Sequence, residues 1–481
     1  MSTAPASEPV LSTLNADGTR RWIRPKLSPG GFWRKRRVTA YVLMVVFFLI
    51  PYLRMGGKPL VLLDVPRRQF SLFGTTFLPT DTLLFMLLLI GIAMAVLLVT
   101  ALLGRVWCGW ACPQTVYMEF LFRPLERWLE GGRGGSLAID KAGGWKPKRL
   151  LTWAVYGVLS LFLAHTFLAY FVGIDQLVHW VRSSPAQHPT AFFVMALTAG
   201  AVLCDFAYFR EQTCLVACPY GRLQSVLLDR RSLIVGYDAR RGEPRALPGR
   251  NRPATAGDCV DCGACVQTCP TGIDIREGLQ MECIHCTQCM DACDAIMDHV
   301  GRPRGLVRYS SRDGLEGKPA RLLRPRVVLY PAALLLAFGL LGWSLGHRQD
   351  TAVTLLRGIG TPYALVGGRV VEQVRIRVSN QAPATREFRI ELAGAAGATM
   401  IAPENPLRVE SGATRTTSVF VTMPRRAFHD GVFPAVFRLS DGRRYRADLP
   451  YTLVGPESDA DEPDADGRGA GARERRQGPE R

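Results

Sequence analysis

Eight of the 13 cysteines lie between Cys259 and Cys293, and their spacing restricts this chain more than any other feature of its 481 residues. The first group reads Cys259-Val-Asp-Cys262-Gly-Ala-Cys265-Val-Gln-Thr-Cys269-Pro270, and the second reads Cys283-Ile-His-Cys286-Thr-Gln-Cys289-Met-Asp-Ala-Cys293. Each is C-x2-C-x2-C-x3-C. Three thiolates so spaced wrap one face of an iron–sulfur cubane, and the fourth, starting the following helix, reaches the other cluster. The pattern therefore assigns Cys259, Cys262, Cys265 and Cys293 to one [4Fe–4S] cluster, and Cys283, Cys286, Cys289 and Cys269 to a second. Zinc sites use four ligands in two pairs, and disulfide frameworks spread cysteines through an exported domain. Neither matches eight thiols in a duplicated run. Asp294 stands where the first quartet is followed by Pro270. Proline shapes the turn and is no ligand, so this departure bears on potential or solvent access. His285 reads as a surface residue. Such a block relays single electrons without naming donor or acceptor.

Five apolar segments reach roughly the 20 residues that cross a bilayer: 38–55, 82–103, 151–173, 190–209 and 327–346. The first begins near Val38, is as long as a span and lacks a small-residue cleavage site, so it reads as a span rather than a cleavable leader. The charge balance is 59 Lys+Arg against 41 Asp+Glu. A basic excess of that kind suits nucleic-acid binding or the positive-inside bias of a membrane protein; a mean hydropathy of +0.09 favours the membrane. Arg20, Arg21, Arg24, Lys26, Arg34, Lys35, Arg36 and Arg37 precede the first apolar run with no acid among them. Residues 1–37 thus read as a mobile, basic, cytoplasmic tail that fixes topology or touches anionic lipid. Loops 104–150 and 210–326 are also basic, whereas 174–189 carries only Arg182. Alternation then puts both basic loops inside, and residues 56–81, 174–189 and the C-terminal part outside.

Two further cysteine pairs follow the second and fourth apolar segments: Trp107-Cys108-Gly-Trp-Ala-Cys112-Pro113 and Thr213-Cys214-Leu-Val-Ala-Cys218-Pro219. A spacing of i, i+4 places both sulfurs on one helix face, and the proline marks a break or a new helical start. Two such pairs at one membrane face would present four soft sulfurs, suited to Cu(I), zinc or iron–sulfur iron. Buried packing is the bland reading; its repetition at matching ends of two spans favours a metal or redox role. Cys204, inside the fourth segment, reads as packing.

Residues 350–455 alternate in period two, in VEQVRIRVSN, REFRIELAG, TRTTSVFVTMP and FPAVFRLSDGRRYRADLPYTLVG, with turns such as Asn380-Gln381-Ala382-Pro383 and Asp441-Gly442 between them. That spacing predicts an antiparallel β-sandwich, here without a cysteine. Ser411-Gly-Ala-Thr414 is only superficially a flavin-attachment signal, since it lies among strands behind Arg408. The tail from 456 is acidic, then basic and Gly-rich, and reads as disordered. The expected organisation is a basic tail (1–37), a four-span region with the first cysteine pair (38–210), and a cytoplasmic segment with the second pair and a ferredoxin-like part at about 250–300 (211–326). A fifth span (327–346), an outer sandwich (350–455) and the tail (456–481) complete it.

Taken together, Pro59-Leu-Val-Leu-Leu-Asp-Val-Pro-Arg67-Arg68, Trp107–Tyr117, Cys218-Pro-Tyr-Gly-Arg222, Ala292-Cys-Asp-Ala-Ile-Met297 and Gly301–Tyr309 resemble the CcoG/FixG/RdxA family of cytochrome c oxidase accessory proteins over about residues 30–455. The resemblance implies a multi-pass protein of the bacterial inner membrane with two [4Fe–4S] clusters and a C-terminal immunoglobulin-like domain. It implies a role in assembly of a cbb-type haem–copper oxidase alongside copper chaperones, through reduction of Cu(II) to Cu(I). On that reading Cys108, Cys112, Cys214 and Cys218 are candidate copper or redox cysteines, a cytoplasmic donor supplies the electrons, and nucleic acid is no partner. Two other readings stay open. One is a quinol- or partner-linked redox subunit without copper, against which stands the lone His165 in its span, with no second histidine to hold haem; His179 reads as interfacial. The other is a non-enzymatic assembly scaffold.

Overall fold

The computed structural model describes residues 12–456, apart from 16, 18, 56, 66–68, 78–80, 145, 248–251, 320–324, 348–350, 383 and 444; the expected tail at 456–481 lies almost wholly outside the described residues. The chain divides between Gly346 and His347 into two units.

Among the described residues four helices are long and apolar enough to cross a membrane: Thr82–Leu103, Pro147–Val172, Pro189–Phe209 and Pro325–Gly346. The first apolar run forms a shorter helix, α1 (Gly31–Leu49). Its opening turns carry Arg34, Lys35, Arg36 and Arg37, so only Val38–Leu49 is apolar, about 18 Å at 1.5 Å per residue. The helix then stops at a 3-10 turn containing Pro51. Five expected spans therefore resolve into four that qualify and a shorter helix beside them. The far end of α1 lies near the far end of the Pro147–Val172 helix, where Phe47 stacks on Tyr170 at 5.4 Å and Tyr170 Oη donates to Phe47 O at 2.7 Å.

Strands β1 (Arg54–Met55), β2 (Lys58–Pro59), β3 (Val61–Asp64), β4 (Gln69–Leu72) and β5 (Thr75–Phe77) form two small antiparallel sheets before α2 (Thr82–Leu103). Short helices α3 (Val106–Trp110), α4 (Pro113–Tyr117), α5 (Arg123–Glu130) and α6 (Gly132–Ala142) lead to α7 (Pro147–Val172), with a π-turn at Met118–Phe122. The expected outer loop is largely helical, as α8 (Ile174–Arg182), and α9 (Pro189–Cys204) ends in a π-turn at Asp205–Phe209. Next come α10 (Pro219–Leu227), β6 (Ile234–Tyr237), α11 (Ala239–Gly242), α12 (Ala264–Gln267), α13 (Gln288–His299), β7 (Val307–Ser310), α14 (Arg312–Leu315) and α15 (Pro325–Gly346). Helices α2 and α15 pack together where Gly91 meets the Phe338 ring; a small residue lets two apolar helices approach closely. Leu89, Ile92, Phe193, Leu197, Leu335 and Leu336 are exposed on these helices. Such a belt is unfavourable in water and natural against lipid, and the protein is a membrane protein.

Of the stretch expected to be a mobile tail, residues 20–37 form instead a strap on the cysteine-rich segment. Lys26 N donates to Gln267 O at 2.9 Å, and Thr268 Oγ1 donates to Lys26 O at 2.8 Å. Arg24 is buried against Asp140 and Glu126. Asp291 then caps α1, accepting from Phe32 N at 3.1 Å and Trp33 N at 2.7 Å. Negative charge is favourable at a helix N-terminus, where amides lack intrahelical partners. A Cβ on Gly30 would overlap the Asp291 carboxylate, so glycine is required there. Composition gave the basic charge correctly; its partners are acids far away in sequence.

The second unit is the expected sandwich. Strands β8 (Thr351–Arg357), β9 (Ala364–Val366) and β10 (Arg369–Asn380) join β12 (Thr399–Ile401) and β14 (Thr414–Pro424) in one sheet, ordered β12-β14-β10-β8 with β9 also on β10. The other is β13-β11-β15-β16, from β11 (Arg386–Ala393), β13 (Leu407–Val409), β15 (Val432–Ser440) and β16 (Arg446–Val454). Alternate residues Val374, Ile376 and Val378 of β10 meet Phe388, Ile390, Phe437 and Leu439 in its core. Asn380 Nδ2 donates to Ala384 O and Val409 O at 2.8 and 3.0 Å, pinning the expected turn.

Candidate metal centre

Strand β6 pairs antiparallel with β7, Val235 opposite Tyr309, and the cysteine loops fold between them over Ile273, Ile275, Met290, Met297 and Leu306. The two loops share one backbone device. In the first, Asp261 and Gly263 have φ of 50° and 64°; in the second, His285 and Thr287 have 54° and 58°. Left-handed residues on both sides of the second cysteine coil each loop tightly, a conformation that non-glycine residues adopt only where the surroundings enforce it.

The loops enclose two cavities. One, of ≈ 340 Å³, is lined by Cys269, Cys283, Cys286 and Cys289, and also by Cys265, which the two cavities share. The other, of ≈ 350 Å³, is lined by Cys259, Cys262, Cys265 and Cys293. Each has three cysteines of one loop and the fourth of the other. Burial pushes the thiols up, to about 12 for Cys283 and Cys293 and about 11 for Cys265 and Cys286, and neighbouring cysteines add repulsion. Deprotonated quartets are costly here without a compensating cation, and that is the condition a thiolate-bound cluster meets. The donor sets fit two cubanes. Among the described residues no three His, Cys, Asp or Glu are placed to hold a single ion.

Two expectations need correction here. His285 is wholly buried rather than superficial. Its Nδ1 accepts from Arg105 N at 3.2 Å; burial and Arg105 push its pKa down to about 3, so the ring is neutral. Neither fourth cysteine starts a helix: Cys269 follows α12, and Cys293 lies within α13, one turn after Cys289. Asp294 explains the second case, because without proline the helix runs on to His299, and Asp294 Oδ1 accepts from Gly305 N at 2.9 Å.

The other four cysteines also converge. Cys108 is in α3, but Cys112 is extended (φ −62°, ψ 127°) and caps α4, which opens with Pro113. Cys214 lies in a π-turn, and Cys218 (φ −77°, ψ 109°) caps α10, which opens with Pro219. The sulfurs of a pair therefore do not share one helix face as the spacing suggested, since a residue before proline is driven out of the helical region and proline starts the next helix. Burial pushes the Cys214 thiol up, and Cys112, Cys108 and Cys218 all repel its charge; burial and Cys112 push Cys108 up to about 12, against Arg105. Cys204 is exposed rather than packed, on the membrane helix α9.

This second set abuts the first. Arg36 Nε donates to Gly109 O at 2.8 Å and its Nη1 to Cys286 O at 2.6 Å. Arg105 donates to Cys283 O at 3.2 Å and Gly221 O at 2.7 Å, and also to Met281 O. Gly109 lies so close that a Cβ would overlap the His285 backbone. A cavity of ≈ 410 Å³ between the sets is lined by both Cys286 and Cys214, with Arg36, Glu119, Arg123 and Gln288.

Sequence reasoning missed the ionic lattice beneath this region. Glu126 takes two 3.0 Å bonds from Arg210 and also pairs with Arg24. Arg123 pairs with Glu119 at 2.7 Å and with Glu211, and Arg149 reaches Glu130 and Asp140 at 2.9 and 2.7 Å. The acids within the basic loop 104–150 were its one visible signal.

Family models agree with this division. One described as a 4Fe–4S dicluster domain matches residues 209–312, one described as a 4Fe–4S binding domain matches 84–133, and one for the Ig-like fold at the C-terminus of FixG matches 341–456. The chain is 35% identical over 445 residues to protein RdxA of Cereibacter sphaeroides, covering 88% of this chain and 92% of that one. It is 31% identical over 463 residues to nitrogen fixation protein FixG of Rhizobium meliloti, covering 85% and 88%. Ferredoxin-type protein NapH of Haemophilus influenzae is 24% identical over 282 residues, 54% of this chain and 86% of that one. The crystal structure of a FixG-related protein from Vibrio parahaemolyticus aligns with 22% of this chain and 98% of its own, at 12% identity and a TM-score of 0.21. With its membrane helices, its cysteine loops and its Ig-like C-terminal unit, the chain belongs to the FixG/RdxA family of iron–sulfur electron-transfer proteins.

Proposed function

We propose that this protein passes single electrons from a cytoplasmic donor to Cu(II) beside Cys108, Cys112, Cys214 and Cys218, and that the Cu(I) formed serves assembly of a cbb-type cytochrome c oxidase. On this reading Cys259, Cys262, Cys265 and Cys293 hold one [4Fe–4S] cluster, and Cys283, Cys286, Cys289 and Cys269 the other. When bound, these clusters store and release one electron each. The protein's own part is to bury them, to hold them by loops coiled through left-handed residues, and to set the Cys283–Cys286 loop against the Cys108–Cys112 turn.

The observation that carries the reading is that contact: Arg36 binds Gly109 and Cys286 at once, and Cys214 and Cys286 line one cavity. Cu(II) prefers nitrogen and oxygen donors while Cu(I) accepts sulfur alone, so a sulfur-rich face favours the reduced ion and draws the electron. The basic residues at the cysteine-rich end support a cytoplasmic position for it, in the inner membrane, with the Ig-like unit as a docking module on the other side for oxidase or copper chaperone.

The test is to reduce the anaerobically purified protein, add Cu(II), and follow Cu(I) with a specific chelator while the cluster absorbance recovers. Cu(I) should appear at the rate of cluster reoxidation. Cys108→Ala/Cys214→Ala should lose that step with the eight-cysteine clusters intact. Copper that stays oxidised beside reduced clusters refutes the copper role and leaves a partner- or quinol-linked electron carrier.

A further inference from the structure

Cysteine bookkeeping leaves an unfinished ligand set. The dicluster match at 209–312 has eight cysteines in its duplicated loops, enough for two clusters by themselves. The separate 4Fe–4S binding match at 84–133 contains two cysteines only, Cys108 and Cys112. Two thiols are half of what a [4Fe–4S] cluster needs. The fold supplies the other half, since Cys214 and Cys218 come to the same place from the turn after α9, each pair laid out alike ahead of a proline-started helix.

A second observation comes from a neighbour. Gln224 is fully buried on α10, its Oε1 3.1 Å from Cys108 Sγ, while its Nε2 has no hydrogen-bond partner. Amide oxygen and nitrogen are assigned by their surroundings. Turned over, Gln224 would direct Nε2–H at Cys108 Sγ and leave Oε1 as the atom without a partner, an exchange that is favoured when Cys108 is a thiolate with no proton to donate. In that arrangement the sulfur accepts, as a metal-bound thiolate does, and hydrogen bonds to sulfur are a standard influence on cluster potential. Buried Arg105 supplies positive charge between Cys108, Cys218 and Cys283. The four sulfurs do not close around a single ion. The two quartets of the dicluster segment share this property, as expected where each thiolate takes a different corner of a cubane.

We propose that Cys108, Cys112, Cys214 and Cys218 together hold a third [4Fe–4S] cluster, placed at the membrane face as the terminal of the relay. The proposal rests on the relay read above and changes what the four thiols do: they carry the electron, and copper is a passing substrate at the edge of the site. One electron enters this site as one leaves the Cys283 side, and one Cu(II) takes it up to become Cu(I).

The test is iron and acid-labile sulfide per chain in full-length protein purified anaerobically without copper and reconstituted with iron and sulfide, together with EPR of the reduced protein. About twelve irons and twelve sulfides are expected, against about eight for two clusters. Cys214→Ser should lose about four of each and one EPR component, with the other signals unchanged; Cys204→Ser should lose none. Gln224→Leu should keep the iron and shift the potential of that one component alone. Reconstituted wild-type protein with about eight irons, or Cys214→Ser with an unaltered count, overturns the proposal. Twelve irons without Cu(II) reduction would uphold the cluster and refute the copper role; eight irons with copper reduction would do the reverse.

Discussion

Replacing Asp291 by alanine should free the first membrane-associated helix from the cysteine-rich segment. The carboxylate accepts from two successive amides at the start of α1, Phe32 N at 3.1 Å and Trp33 N at 2.7 Å, and the residue is 7% exposed. Removing an ordinary N-cap costs about 0.5–2 kcal/mol. Here two amides lose an ionised partner in a shielded site, which places the loss near the top of that range, about 2 kcal/mol. At about 1.4 kcal/mol per tenfold, amides 31–36 should exchange with deuterium about 30-fold faster by local opening, while α7 keeps wild-type rates. Asp291→Asn retains one acceptor oxygen and should show a smaller effect in the same peptide. Gly30→Ala should reproduce the acceleration from the other side of the contact, by overlap with the carboxylate. The assay is hydrogen exchange by mass spectrometry in detergent or nanodiscs, on samples matched for iron content. Protection of residues 31–36 within about threefold of wild type in Asp291→Ala would refute the reasoning, because the cap would then contribute nothing to holding α1 on α13.

Gly109→Ala should wedge the Cys108–Cys112 turn away from the backbone of His285; the eight-cysteine clusters should keep their EPR signals while electron delivery to Cu(II) in stopped flow slows by about tenfold or more. Glu126 is pushed up by burial but pulled down further by Arg210 and Arg24, to about 2 from 4.5. The folded state thus favours its ionised form, and the stabilisation is complete above about pH 4.5 and is lost as pH falls toward 2. Exchange of peptide 20–28 should therefore rise with acid in wild type beyond the rise in Glu126→Gln, which at neutral pH already lacks the pairing; equal curves would contradict this. In the Ig-like unit, Phe437 is 0% exposed in the core, so Phe437→Ala should cost about 3–5 kcal/mol, read as a lower urea midpoint for proteolysis of residues 347–456 in the intact chain.

Some features were legible in the sequence because they depend on short-range periodicity. Alternation along 369–380 and 414–424 placed those strands, since side chains on a strand change face at every residue. The apolar runs at 82–103 and 327–346 marked membrane helices because hydropathy summed over 20 residues is a local property. The first apolar run is less sharply marked for a related reason: four basic residues stand at the start of α1, and the apolar remainder of that helix is short. The two cysteine quartets carry their chemistry in spacing alone, and their division between two cavities follows from a chain too short to let one loop surround a cluster.

Only the tertiary structure decided how distant segments meet. Nothing local says that Arg24 is neutralised by Glu126 and Asp140, that His285 is sealed beneath Arg105, or that Gly104 must be glycine because a Cβ would strike Leu233 O. A basic residue before an apolar run reads as a topology signal, and a histidine between cysteines as a surface group, until acids and arginines more than 100 residues away fill the space around them. The same holds for Cys108, Cys112, Cys214 and Cys218. The sequence by itself determined that there are two pairs, each ahead of a proline. That the pairs face one another, and that both lie against the Cys283–Cys286 loop, depends on the return of α9 to the end of the bundle where α2 finishes. That return is set by packing across the membrane helices, and periodicity within any one of them does not record it.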